Sequence, residues 1–196
     1  MQLIAITGGI GSGKSIVARM VQVMGHEVYD CDSRAKALMT EDKLVRQQLV
    51  EAFGECTYLD DGTLNRQHLS EVAFSDDDAL ARLNGIVHPA TARDMMRWKD
   101  EQEASGAAVA FCETALLRTA GLDRVVDGVW HVTAPEPVRI GRVMTRSGLT
   151  AQQVKERMAA QAIEDAVAAG EQVIVNDDVT ALLPQVTSLL NQLTII

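Results

Sequence analysis

Gly8-Gly9-Ile10-Gly11-Ser12-Gly13-Lys14-Ser15 follows an apolar run at residues 3–6 and precedes Ile16, Val17, Met20, Val21 and Met24 at helical spacing. A glycine-rich turn that ends in Gly-Lys-Ser between a strand and a helix is the P-loop pattern G-x-x-x-x-G-K-[ST]. Its composition follows from its chemistry. Gly9, Gly11 and Gly13 let backbone N–H groups turn toward phosphate oxygens, and the helix N-terminus adds positive potential. Lys14 reaches the β- and γ-phosphates, Ser15 supplies a hydroxyl for Mg²⁺, and Ser12 and Ile16 complete the expected nucleotide-binding stretch. No N-K-x-D element for guanine occurs in the chain, so ATP is the expected nucleotide.

Working outward, short non-alternating apolar runs recur at residues 109–112, 129–132 and 173–175, with a shorter candidate at 27–29. Runs of this kind suit strands covered on both faces of a parallel sheet. Helical spacing returns at Leu182, Leu183, Val186, Leu189, Leu190 and Leu193. The alternation predicts an α/β fold of the P-loop NTPase type, three layers around a five-stranded, mostly parallel sheet. We expect a core of residues 1–32, 107–135 and 170–196, interrupted twice. Residues 33–106 read as a helical insertion with turns at Asp60-Asp61-Gly62 and at His88-Pro89. Residues 136–169 read as a helical hairpin that can act as a lid, broken near Ser147-Gly148-Leu149, with Thr150-Ala151-Gln152-Gln153 as a capping box.

Asp30-Cys31-Asp32 stands after the second strand, at the carboxyl edge where open α/β sheets bind ligands. A carboxylate there can accept the proton of an acceptor hydroxyl or hold Mg²⁺ through water, and Asp32 is the expected base. The plainer role for either aspartate is to cap the helix that follows. Glu113 ends the 109–112 run, where it can assist Mg²⁺ through water or hold the acceptor; the sequence leaves both open. Arg139, Arg142 and Arg146 fall at i, i+3 and i+7 on one helix face. Three guanidinium groups on a lid can neutralise a moving phosphoryl group, whereas without the P-loop they would read as a solvated face. Trp98, Trp130 and the methionines read as core, and His26, His68 and His131 as isolated residues.

Bulk properties exclude several classes. A net charge of −9 with no Lys/Arg run argues against a nucleic acid partner. No apolar stretch approaches the ~18 residues of a membrane span, and the first apolar run lacks the basic residues of a signal peptide ahead of it. The three cysteines are widely spaced and form no C-x-x-C pair, which fits a reducing cytoplasm. At 196 residues the chain is expected to hold one core and to be a monomer or weak homo-oligomer.

Taken in order, these motifs resemble the dephospho-CoA kinase family over essentially the whole chain. The resemblance rests on Thr7 through the P-loop, on Asp30-Cys31-Asp32, on Leu64-Asn65-Arg66, and on Leu83-Asn84-Gly85-Ile86-Val87-His88-Pro89. It continues through Glu113-Thr114-Ala115-Leu116-Leu117 and Arg142-Val143-Met144-Thr145-Arg146-Ser147-Gly148-Leu149, then Arg157 with Gln161, and Val173-Ile174-Val175-Asn176. The resemblance implies transfer of phosphate from ATP to the ribose 3′-hydroxyl of dephospho-CoA, the last step of coenzyme A synthesis. It also implies Lys14, Asp32 and Arg142 as catalytic residues, Asp32, Lys36, Arg66, His88 and Glu113 as acceptor contacts, and Asn176 near adenine. Five positions depart from the family's pattern: Cys31 stands for Ala, Ala115 for Pro, Arg118-Thr119 for Phe-Glu, and Arg139 for Gln. Alternatives are another small-molecule kinase of this fold, of the shikimate or gluconate type, or a nucleotide sensor without catalysis.

Overall fold

The computed structural model describes residues 1–73 and 77–193. Residues 74–76 of the expected insertion and 194–196 of the expected core lie outside the described residues. The chain forms two compact units, one of Met1–Asp30 with Lys99–Ile196 and one of Cys31–Trp98.

The first unit is built on β1 (Gln2–Thr7), β2 (Val28–Asp30), β3 (Val109–Glu113), β4 (Gly128–Thr133) and β5 (Gln172–Val175). Their order is β2-β3-β1-β4-β5 and every pairing is parallel. The second strand lies one residue later than the 27–29 run suggests, because Glu27 sits just outside the ladder, its carbonyl accepting from the Phe111 N–H at 2.9 Å. Five of the six β1 residues are buried, as a central strand covered on both faces must be. Ile4 and Ile6 point to one face, where α1 (Lys14–Val23) and α9 (Leu182–Leu193) pack. That layer joins Val17 and Val21 of α1 to Phe111, Trp130, Val132 and Ile174 of the sheet and to Val186 and Leu190 of α9. Leu3 and Ala5 point to the opposite face and are equally buried.

Two further helices follow β4, α6 (Glu136–Ser147) and α7 (Ala151–Ala160), then the short α8 (Ala162–Asp165). Gly148 ends α6 in the left-handed region at φ 66°, its N–H reaching the Met144 carbonyl. Thr150 opens α7 with the reciprocal Thr150–Gln153 capping box that the sequence predicts.

In the second unit lie α2 (Cys31–Glu41), α3 (Lys43–Phe53), α4 (Arg66–Ala73) and most of α5 (Asp77–Ala104). Their core gathers Leu38, Val45, Leu49, Phe53, Leu69, Ala79 and Ala90. The turn at Asp60-Asp61-Gly62 is present, closed by the Leu59 N–H on Thr63 O at 2.9 Å. The expected break at His88-Pro89 is not: α5 runs through Pro89. Pro removes one helical hydrogen bond and crowds the carbonyl four residues back, here Gly85. Burial of Val87 just before Pro89 and of Ala90, Thr91 and Met95 after it outweighs that loss, and Thr91 Oγ1 donates to Val87 O at 2.9 Å.

Candidate active site

The loop between β1 and α1 is shaped by neighbours that leave no room for side chains. Gly13 is the N-cap of α1 in the left-handed region (φ 97°), with no side-chain cap on the helix. A Cβ at this position would lie 2.0 Å from Asn176 Nδ2. Asn176 follows β5 directly, its N–H donating to Thr133 O at 2.8 Å and its buried amide donating to Ser12 O at 2.8 Å. The end of β5 thus fixes the carbonyl side of the loop, so that backbone N–H groups at the head of α1 can serve an anion.

Within this frame the polar groups converge. Lys14 Nζ donates to Gly8 O at 2.7 Å and Gly9 O at 3.3 Å, which holds the ammonium over the loop. Ser15 Oγ donates to Glu113 Oε1 at 2.6 Å. Glu113 reaches this place because it ends β3, paired in register with Ile6 on one side and Asp30 on the other. Ser12 Oγ is buried and, with Thr7 Oγ1, is a buried side-chain oxygen with no hydrogen-bond partner among the described residues. An orphaned hydroxyl inside a ring of glycines fits phosphate oxygens, and a hydroxyl beside one carboxylate fits a Mg²⁺ that also takes phosphate and water ligands. Among the described residues no group of three or more His, Cys, Asp or Glu comes together that could hold a metal ion.

The three α6 arginines divide. Arg142 donates to Asn176 O at 3.0 Å and Asn176 Oδ1 at 3.2 Å, more weakly to Gly11 O and Ser12 O, and pairs with Asp178. Arg146 shares with it an open cleft of about 550 Å³, also lined by Pro137, Gly141, Thr145 and Asp178. Arg139, expected beside them on ATP, is instead buried, with Nε on Ile10 O at 2.8 Å and Nη2 on Asp165 at 2.9 Å. The i, i+7 step turns a helix by nearly two full turns, so spacing alone does not show which arginine faces the sheet. Asp178 is a residue that sequence reasoning misses. It adopts φ 67°, a conformation that Asp tolerates better than most residues, and no sequence signal marks it. Its neighbour Asp177 accepts from the Thr180 and Val179 N–H groups, which hold its carboxyl below the usual range. Ile16 is half-exposed and lines an apolar groove with Met20, Val23 and Leu183.

The remaining expected residues lie in the second unit. Asp32 stands in the first turn of α2. Lys36 and Arg66 come together at a cleft of about 350 Å³ whose other walls are Met39, Leu64, Leu69, Ser70 and Leu83. His88 is on α5, outside that lining, and burial pushes its imidazole below the ordinary value. An apolar slot with two cations is suited to a long, partly aliphatic anion.

The dephospho-CoA kinase family model matches residues 2–181. The chain belongs to the dephospho-CoA kinase family. A relative named dephospho-CoA kinase from Porphyromonas gingivalis is 38% identical over 97% of this chain and 93% of its own. Another dephospho-CoA kinase, from Salinibacter ruber, is 41% identical over 82% of this chain and 81% of its own. A solved Thermus thermophilus structure superposes with a TM-score of 0.78 at 31% identity, covering 99% of this chain and 96% of that one. Arg118 and Thr119 find partners on later parts of the chain. Arg118 pairs with Glu171, which also contacts His131 Nδ1 at 3.0 Å, and Thr119 donates to the buried Glu164 through N–H and Oγ1, both at 2.8 Å.

Proposed function

We propose that this chain transfers the γ-phosphoryl group of ATP to the ribose 3′-hydroxyl of dephospho-CoA, giving coenzyme A and ADP, as the last step of coenzyme A synthesis in the cytoplasm. The observation that carries the reading is the Ser15–Glu113 hydrogen bond beside the Lys14 ammonium, in a loop that belongs to this family. Lys14 holds the β- and γ-phosphates, and Arg142 and Arg146 face the growing negative charge from the lid. Asp32 takes the proton of the 3′-hydroxyl as its oxygen bonds to phosphorus and the bond to ADP breaks. Ser15 and Glu113 are the groups that would hold Mg²⁺, which when bound neutralises phosphate charge. Lys36 and Arg66 anchor the anionic part of the acceptor, its aliphatic arm lying on Met39, Leu64, Leu69 and Leu83, while His88 is a further acceptor contact. Among the described residues no helix is long and apolar enough to cross a membrane. On this reading the chain acts as a monomer or weak homo-oligomer on a small-molecule substrate, without nucleic acid or membrane.

The test is product analysis by mass spectrometry after incubation with Mg-ATP and dephospho-CoA, shikimate or gluconate. Gain of one phosphoryl group on dephospho-CoA alone is the expected result, and Asp32→Asn should abolish it while ATP still binds. Phosphorylation of shikimate or gluconate instead, or of nothing, would overturn the reading.

A further inference from the structure

Arg139 is surrounded differently from the other lid arginines. It is 9% exposed, and its Nε–H donates to Ile10 O at 2.8 Å. Ile10 is held from its other main-chain group as well, its N–H donating to Gln161 Oε1 at 3.1 Å. Asp165 completes the set through its ion pair with Arg139 Nη2. The fit against the loop is close: a Cβ on Gly9 would fall 1.5 Å from Asp165 Oδ1 and 2.3 Å from Arg139 Nη2. Asp165 itself rests on a fixed base, because the preceding Glu164 is 1% exposed and accepts from Arg118 N, Thr119 N and Thr119 Oγ1.

Gly9 and Gly11 flank Ile10 and give this part of the loop the most permissive backbone that proteins have. A loop free to explore many shapes binds its ligand less tightly, in proportion to the fraction of time it spends in the competent one. We infer that Arg139, with Asp165 and Gln161, is a positioning clamp that holds the P-loop in its phosphate-ready shape and does not itself touch the nucleotide. The inference rests on the proposed reading that this loop binds ATP. It places the three residues beneath the phosphate site, gripping the side of the loop that Asn176 does not, while Arg142 and Arg146 keep the lid role.

The distinction can be measured with ADP. An arginine on the γ-phosphate matters for ATP only, whereas a clamp on the loop matters equally for ATP and ADP. Calorimetric titrations of the full chain with ATP, ADP and dephospho-CoA are expected to show Arg139→Met weakening both nucleotides by the same factor, about tenfold for one released backbone residue. Dephospho-CoA affinity should be unchanged. Arg139→Gln, which keeps an amide donor for Ile10 O, should recover much of the loss, and Asp165→Ala and Gln161→Ala should each reproduce part of it with the same ATP-to-ADP ratio. Loss confined to ATP would overturn the clamp in favour of direct γ-phosphate contact. Wild-type affinity in Arg139→Met and Asp165→Ala would overturn it outright, and if Arg139→Met does not fold, Asp165→Ala and Gln161→Ala decide. Wild-type protein that binds neither nucleotide would remove the nucleotide reading first and the clamp with it.

Discussion

Replacing Gly13 by Ala should damage the protein through two separable effects. The backbone at Gly13 has φ 97° and ψ 26°, a region that an L side chain enters at roughly 1–2 kcal/mol. The added methyl would lie 2.0 Å from Asn176 Nδ2, so the amide has to move by more than an ångström. Asn176 is buried, and its displacement breaks the bond to Ser12 O, leaving a polar group unpaired at about 1–3 kcal/mol. Together the loss is about 2–5 kcal/mol, or a fall in melting temperature of roughly 5–15 °C for a domain of this size. A double-mutant cycle with Asn176→Ala, followed by urea unfolding, separates the parts. In the Asn176→Ala background only the backbone share should remain, giving a coupling energy of at least ~1 kcal/mol. Additive effects, or a Gly13→Ala variant that melts within about 1 °C of wild type, would refute the steric argument.

Other outcomes follow from the same geometry. Arg118→Met leaves the nearly buried Glu171 without its strongest partner and should cost about 2–4 kcal/mol in urea unfolding, with Glu171→Gln partly relieving the damage. His88, whose imidazole is held below its ordinary value by burial, binds its proton more readily in the unfolded chain. Stability should therefore be complete above the unfolded His value and decline as pH falls through the lower folded value; a His88→Asn variant should show a flatter profile between about pH 7 and 5. Asp178→Gly removes both a left-handed non-glycine residue and an exposed partner of Arg142. Stability should change by less than ~1 kcal/mol while ATP binds more tightly, as calorimetry would show; weaker binding would mean that Asp178 orients Arg142 rather than competing for it.

What could be read from the sequence is what local chemistry dictates. The P-loop is legible because glycine at fixed offsets, a lysine and a serine each answer to a requirement of phosphate binding within eight residues. The capping box at Thr150 and the apolar strands are legible for the same reason. Partners far along the chain are not. Nothing near Arg118 and Thr119 in the sequence points to Glu171 and Glu164, more than forty residues on, which the structure sets beside them. Arg139 has the spacing of a lid cation, and only its burial shows that it faces Ile10 and Asp165. The α5 helix shows the limit of a propensity rule: Pro89 predicts an end, and packing around Val87 and Ala90 continues the helix past it.

The central position of β1 bears on how the chain reaches its native state. Its neighbours on both sides, β3 and β4, begin only at Val109 and Gly128. During translation at typical rates the strand that carries the nucleotide loop waits on the order of ten seconds for a partner, its apolar side chains uncovered. Pairing across such separations is intrinsically slow, and the intervening helices of residues 31–98 can mature first because their contacts are local. Nascent chains truncated before residue 109 should therefore retain an unpaired β1 however well the helices of residues 31–98 have folded.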